Sequence, residues 1–194
     1  LEKIVPFAKE HRLRVLIDST FATPVNQCPL DYGVDLVVHS CTKYLGGHND
    51  LMAGSVCGKA GIVSAIKEFR DVVGTNSDPN TAWLLIRGIK TLALRMQQQN
   101  TSAQTIAEYL EGHDKVQRVF YPGLASHPDH AIAKAQMKGY GGVVSFEIDG
   151  DRERTRQFVE ALQIPYLAPS LGGAETLVSH PATVSYSDLS EEDR

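Results

Sequence analysis

The sequence predicts an open α/β fold: a mostly parallel sheet with flanking helices up to about Lys90, then a smaller α+β part. Three observations carry this. Short apolar runs at residues 14–18 and 36–38 alternate with helical patterns through the first part of the chain. Residues 142–148 instead alternate apolar and polar side chains and run into the turn signal Asp149-Gly150, the pattern of an antiparallel strand. Between them Leu85, Ile89, Leu92, Met96, Ala103, Ala107 and Leu110 mark one apolar stripe along a helix of roughly seven or eight turns.

Taken in order, residues 1–10 are expected to form an amphipathic helix with Leu1, Val5 and Ala8 on one face. Residues 14–18 are a strand, and residues 21–26 a loop kept irregular by Pro24 and Pro29. Residues 30–34 lead into the strand at 36–38, and residues 54–58 are a further short strand. A helix over 62–73 ends in the polar turn cluster of residues 74–80. The long helix follows, weakened at Gly88 by about 1 kcal/mol against alanine. Residues 116–121 form a strand stopped by Pro122-Gly123, residues 131–138 a helix, and residues 152–162 a helix with Phe158, Val159 and Leu162 inward. The last strand starts at residues 164–167, and Ser190-Glu191-Glu192-Asp193-Arg194 reads as a polar helix start.

Composition excludes several classes. Hydrophobic content of 42% and charged content of 22% are ordinary for a globular protein. The net charge of −4 argues against non-specific nucleic-acid binding, and no apolar run has the length of a membrane span. The start at Leu1-Glu2-Lys3-Ile4-Val5-Pro6 lacks a signal-peptide pattern and reads as a helix entered in mid-protein. Cys28, Cys41 and Cys57 lack metal spacing and read as three buried or half-buried free thiols in a reducing, cytoplasmic setting; the absent N-terminal region leaves a plastid form open. Gly54-Ser55-Val56-Cys57-Gly58-Lys59-Ala60 has the wrong spacing for a phosphate loop, with no Ser or Thr after Lys59. His127-Pro128-Asp129-His130 has no third ligand in view, so a surface turn is expected there and no metal site.

The chemistry gathers at two strand ends, where ligands of open α/β sheets bind. Lys43 follows the strand at 36–38, with the hydroxyls of Thr42 and Ser40 one and three positions before it. A lysine amine becomes a nucleophile or base where its ammonium form is disfavoured. Asp18 ends the neighbouring strand. An amine for a Schiff base, a carboxylate for a pyridinium nitrogen and hydroxyls for a phosphate are together what pyridoxal 5'-phosphate requires. Cys41, between the hydroxyls, reads as a packing residue.

Ile17-Asp18-Ser19-Thr20-Phe21-Ala22-Thr23-Pro24 and Ser40-Cys41-Thr42-Lys43-Tyr44-Leu45-Gly46-Gly47-His48-Asn49-Asp50 resemble the trans-sulfuration, or Cys/Met-metabolism, family of fold-type I pyridoxal-phosphate enzymes, over the whole chain. Gly46-Gly47-His48-Asn49-Asp50, Gln97-Gln98-Gln99-Asn100, residues 141–151 and residues 164–170 look most like the plant-type cystathionine γ-synthase branch of that family. The resemblance implies a fold-type I transferase. Residues 1–90 would be the C-terminal part of the cofactor-binding large domain, and residues 91–194 a truncated small domain. It implies Lys43 as catalytic base and cofactor anchor, Asp18 at the ring nitrogen, Ser40 and Thr42 at the phosphate, and Ser170 at the substrate carboxylate. His180-Pro181-Ala182, also a family feature, is read as structural.

The implied reaction is γ-replacement on an O-acylated or O-phosphorylated homoserine by cysteine. The alternatives are a γ-lyase of cystathionine or methionine, a β-lyase, a sulfhydrylase, or a non-catalytic fragment that only folds or assembles. The implied partners are small amino-acid substrates and further copies of the chain, in a homotetramer built from dimers with shared active sites. Relatives of this kind are longer. A phosphate-binding glycine loop and a ring-stacking tyrosine are expected upstream, and a carboxylate-binding arginine downstream.

Overall fold

A computed structural model describes residues 1–184, so the helix start expected at Ser190-Glu191-Glu192-Asp193-Arg194 lies outside the described residues. The first half is organised on a three-stranded sheet in the order β1 (Leu16–Asp18), β2 (Leu36–Ser40), β3 (Gly54–Gly58). β1 and β2 are parallel, with Asp18 opposite Val38, so their carboxyl ends lie side by side. β3 returns antiparallel along β2, Ser40 opposite Gly54. Parallel pairing requires a crossover, and the segment from Cys41 to Ala53 folds at the end of β2 instead.

Helix α1 (Ile4–Glu10) buries Val5 and Ala8, and Val5 packs with Val34 and Val37 over Leu1, Val15 and Ile17, the face expected from the sequence. Pro24 initiates rather than prevents a helix: the expected loop contains the one-turn α2 (Thr23–Asn26) with proline in its first turn, where a missing N–H costs nothing. Helix α3 (Ala60–Val73) buries none of its residues among those described. Its Phe69 and Val72, with Trp83 and Ile86 of α4 (Pro79–Ile89), are exposed large apolar groups. Asp78 caps α4 by accepting from the N–H groups of Asn80 (2.9 Å) and Thr81 (3.1 Å).

The long apolar stripe is divided between two helices, and Ile89, at the end of the first, is exposed. α4 stops at Ile89 and α5 (Leu92–Glu111) starts after Thr91. The break has a tertiary cause. Arg95 donates to Gly88 O (2.9 Å), to Thr91 Oγ1 (3.1 Å) and to Tyr44 O (2.7 Å), drawing carbonyls at the end of α4 and at the lysine turn onto one guanidinium. Leu92 and Met96 join Cys41, Tyr44, Leu45 and Leu51 in the central core; Ala103 and Ala107 join Tyr121 and Leu124 in a second.

Beyond α5, β4 (Val116–Phe120) pairs antiparallel with β5 (Ser145–Ile148), as the alternation predicts, with α6 (His130–Gln136) between them. In α7 (Arg152–Ala161) Val159 is buried and Phe158 half-buried, and Leu162, just past the helix end, is also half-buried. Residues 164–167 do not form the last strand of the described chain: β6 (Tyr166–Leu167) pairs parallel with a further strand, β7 (Leu177–Val178), which precedes the short α8 (Pro181–Val184). Asn26 and Asn100 exchange two side-chain hydrogen bonds of 2.9 Å each, and Asn100 Oδ1 also accepts from Gly141 N–H (2.8 Å). This joins the first half of the chain to the second.

The thiols are free, but only Cys41 is buried. Cys28 follows α2 on the surface and Cys57 lies on β3, an edge strand, so both are exposed. Burial pushes the Cys41 thiol up, which fits packing and not nucleophilic work. Among the described residues there is no His, Cys, Asp and Glu cluster fit for a metal and no helix long and apolar enough to cross a membrane.

Candidate active site

β2 ends at Ser40, and residues Cys41–Leu45 form a π-helical turn in which Gly46 N–H donates to Cys41 O (2.8 Å). Single π turns are rare and frequently found at functional sites. Lys43 leaves helical geometry within it (φ −87°, ψ −125°), while Cys41, Tyr44 and Leu45 on either side are buried. The lysine backbone is thus held by its neighbours' side chains.

Lys43, Asp18 and Ser40 line one open cavity of about 350 Å³ together with Thr20 and Phe21. Lys43 Nζ donates to Ser170 Oγ (3.0 Å), so the residue expected at the substrate carboxylate comes from 127 positions away to the lysine tip. Thr42 does not line the cavity. Its Oγ1 accepts from Ala53 N–H (3.2 Å) and donates to Ala53 O in a long bond (3.5 Å), which ties the hydroxyl to the start of β3.

Asp18 is fixed by a residue the motif reading passed over. Thr20 N–H donates to Asp18 Oδ1 (2.9 Å), and Thr20 Oγ1 accepts from Ser40 N–H (2.8 Å). Thr20 therefore ties the end of β1 to the end of β2. Hydrogen bonds from the Thr20 side chain and backbone hold the Asp18 carboxyl below its usual range, with the His39 charge adding to them. Burial pushes the neighbouring His39 imidazole down, against the Ser19 backbone and Asp18, which pull it up. The sequence signal for Thr20 was its position two residues after Asp18, a spacing at which Asp side chains accept from the backbone.

The Ser170 loop rests directly on the lysine turn. Gly172 has φ +84°, and a Cβ on it would lie 2.6 Å from Tyr44 N and 3.0 Å from Lys43 C. Gln99 Nε2 donates to Gly173 O (2.9 Å) and Asn49 Nδ2 to Glu175 Oε2 (2.8 Å). Neither residue was singled out from the sequence as part of the site.

The donor set fits pyridoxal 5'-phosphate: an amine, an ionised carboxylate and a serine hydroxyl face one cavity at adjoining strand ends. Fold and site define an α/β protein with a strand-end lysine of the pyridoxal-phosphate kind. The sequence profile of the "Cys/Met metabolism PLP-dependent enzyme" family matches residues 1–194, and the chain belongs to that family. Two relatives are named cystathionine γ-synthase 1, chloroplastic. The one from Arabidopsis thaliana is 59% identical over 93% of this chain and 32% of its own length; the one from Nicotiana tabacum is 55% identical over 100% and 36%. A crystal structure of cystathionine γ-synthase from Xanthomonas oryzae pv. oryzae, in complex with aminoacrylate and cysteine, superposes with a TM-score of 0.95 at 40% identity, over 100% of this chain and 50% of that one. The chain thus spans a third to a half of the length of the proteins it matches.

Proposed function

We propose that the full-length protein is a pyridoxal-phosphate enzyme of sulfur amino-acid metabolism that carries out γ-replacement, joining cysteine to an O-activated homoserine. The reading rests above all on one observation: Lys43, Asp18 and Ser40 meet in one cavity, with Ser170 at the lysine tip. The synthase branch is favoured by identities of 59% and 55% to the two plant proteins. We assign residues 1–90 to the large domain and residues 91–194 to a truncated small domain.

Bound in this cavity, pyridoxal phosphate supplies a carbonyl that links to an amine and a ring that withdraws electrons from the substrate Cα. Lys43 anchors the cofactor, then removes the Cα proton and carries it between carbons. Asp18, whose carboxyl Thr20 holds below its usual range, would favour a proton on the ring nitrogen, because an adjacent carboxylate favours the cationic form. Ser40 would donate to the phosphate, and Thr42 would add a second bond by turning its hydroxyl away from Ala53 O. Ser170 donates to the substrate carboxylate. With these groups in place the γ-substituent leaves and the cysteine sulfur takes its position.

The exposed apolar faces of α3 and α4 are consistent with burial against further chain or further subunits, and the assembly we propose is a homotetramer of dimers with shared sites. The proposed location is cytoplasmic, with the plastid as alternative on the strength of the two chloroplastic relatives. The test is turnover by the full-length chain loaded with cofactor: cystathionine formed from a homoserine ester and cysteine supports the synthase, and cleavage of cystathionine or methionine without such synthesis overturns it in favour of a γ-lyase.

A further inference from the structure

We propose that Gln99 is a positioning residue for the Ser170 loop, setting through Gly173 the place at which Ser170 meets Lys43 and the substrate carboxylate. The inference rests on the reading of Ser170 given above. Three glutamines stand in a row, and the helix separates them. Gln97 and Gln98 are exposed, and Gln98 donates to Ser102 (3.0 Å). Gln99 turns inward, and its Nε2 donates to Gly173 O at 2.9 Å. Its Oε1 is buried with no hydrogen-bond partner among the described residues. Burying half an amide unpaired is unfavourable, so the Gly173 bond is what fixes this side chain and, through it, the loop.

Geometry makes the loop sensitive to that bond. Gly173 is buried, three residues after Ser170, and Gly172 leaves no room for a side chain above the Lys43–Tyr44 peptide. Two further side-chain ties reach the loop: Lys43 to Ser170, half-buried, and Asn49 to Glu175, exposed to water. Gln99 therefore supplies a half-buried anchor from α5, on an element other than the lysine turn and at a point of the loop between those two ties. Without it the loop keeps its Leu171 packing and the Lys43–Ser170 bond but loses its tie to α5, so Ser170 is held less firmly.

The test uses the full-length enzyme loaded with cofactor and glycine, an amino acid with no leaving group, as probe. Losing one such hydrogen bond predicts a roughly five- to tenfold rise in the glycine dissociation constant for Gln99→Met, with KM rising similarly and kcat changing less. Amide exchange at Gly172 and Gly173 should quicken in the cofactor-free protein, a readout independent of turnover. Gln99→Asn, which withdraws the amide from Gly173 O, should act the same way and serves if Gln99→Met does not fold. In a Ser170→Ala background the effect of either substitution on glycine affinity should vanish. An unchanged glycine dissociation constant, or an effect that simply adds to that of Ser170→Ala, overturns the role of Gln99. If Ser170→Ala alone leaves glycine affinity unchanged, the carboxylate reading of Ser170 falls, and this inference with it.

Discussion

Gly88→Ala is the substitution whose outcome the structure and helix propensity predict with opposite sign. In an open helix, replacing glycine by alanine stabilises by up to about 1 kcal/mol. Gly88 lies within α4, so propensity alone favours the change. A Cβ built there falls 2.2 Å from Gly46 O, 3.0 Å from Gly46 C and 3.0 Å from Leu45 O. All three are backbone atoms, so no side chain can swing aside. An ordinary contact requires about 1 Å more, and a shift of that size in a packed interior costs about 1–3 kcal/mol. The net expectation is destabilisation by about 0–2 kcal/mol, the difference of the two terms with the full propensity gain counted. Because the obstructing atoms belong to the turn carrying Lys43, the absorbance of the bound cofactor should change as well. Gly61→Ala is the internal control: Gly61 lies in the first turn of α3, and a Cβ there meets nothing within 4 Å. It should be neutral or slightly stabilising. The assay is denaturant unfolding of the full-length holoenzyme with absorbance recorded on the same samples. A Gly88→Ala protein as stable as the parent, with an unchanged spectrum, would refute the reasoning.

Asp18→Asn should retain cofactor but slow exchange of the substrate Cα hydrogen by about a hundredfold or more, read by deuterium incorporation. The depressed Asp18 pKa sets the sign of an acid effect: its stabilisation is fully present above the ordinary value of 3.8 and is lost as pH falls through the lower folded value. Thr20→Val, which removes the first cause of that shift, should therefore move acid unfolding to higher pH, and a circular-dichroism titration showing no movement counts against the assignment. Asn100→Ala strands the buried Asn26 amide and Gly141 N–H, and should cost about 1–3 kcal/mol in denaturant unfolding. Residues 1–194 expressed alone should form no cystathionine, since they correspond to half of a structural relative; synthesis at the full-length rate would refute the division of labour argued above.

Strand ends were the most legible part of this chain. Asp18 and Lys43 could be placed together because apolar runs mark their strands, and parallel neighbours put their carboxyl ends on one side. The break between α4 and α5 was illegible because its cause is a guanidinium gathering carbonyls from two elements, whereas apolar spacing runs through the gap unchanged. Proline at Pro24 carried two meanings, and context chose the helix-initiating one. Gln99 could not be told from its two neighbours without the phase of α5 against the Ser170 loop. Thr20 was half legible: its spacing from Asp18 signals the local bond, whereas its acceptance from the Ser40 N–H crosses strands and leaves no local pattern.

The reciprocal Asn26–Asn100 pair has a mechanical consequence. Two parallel amide bonds, reinforced at Gly141 N–H and by Tyr121 Oη donating to Gly141 O (3.0 Å), resist twisting as well as pulling, as a single bond between freely rotating groups would not. A swinging motion of α5 against α2 would have to break both at once in a water-poor interior. This seam therefore acts as a rivet, and whatever opening admits an amino acid must flex elsewhere, at segments tied by single or solvent-exposed bonds. Slow amide exchange at Gly141, unchanged by ligand, is the signature expected of such a joint.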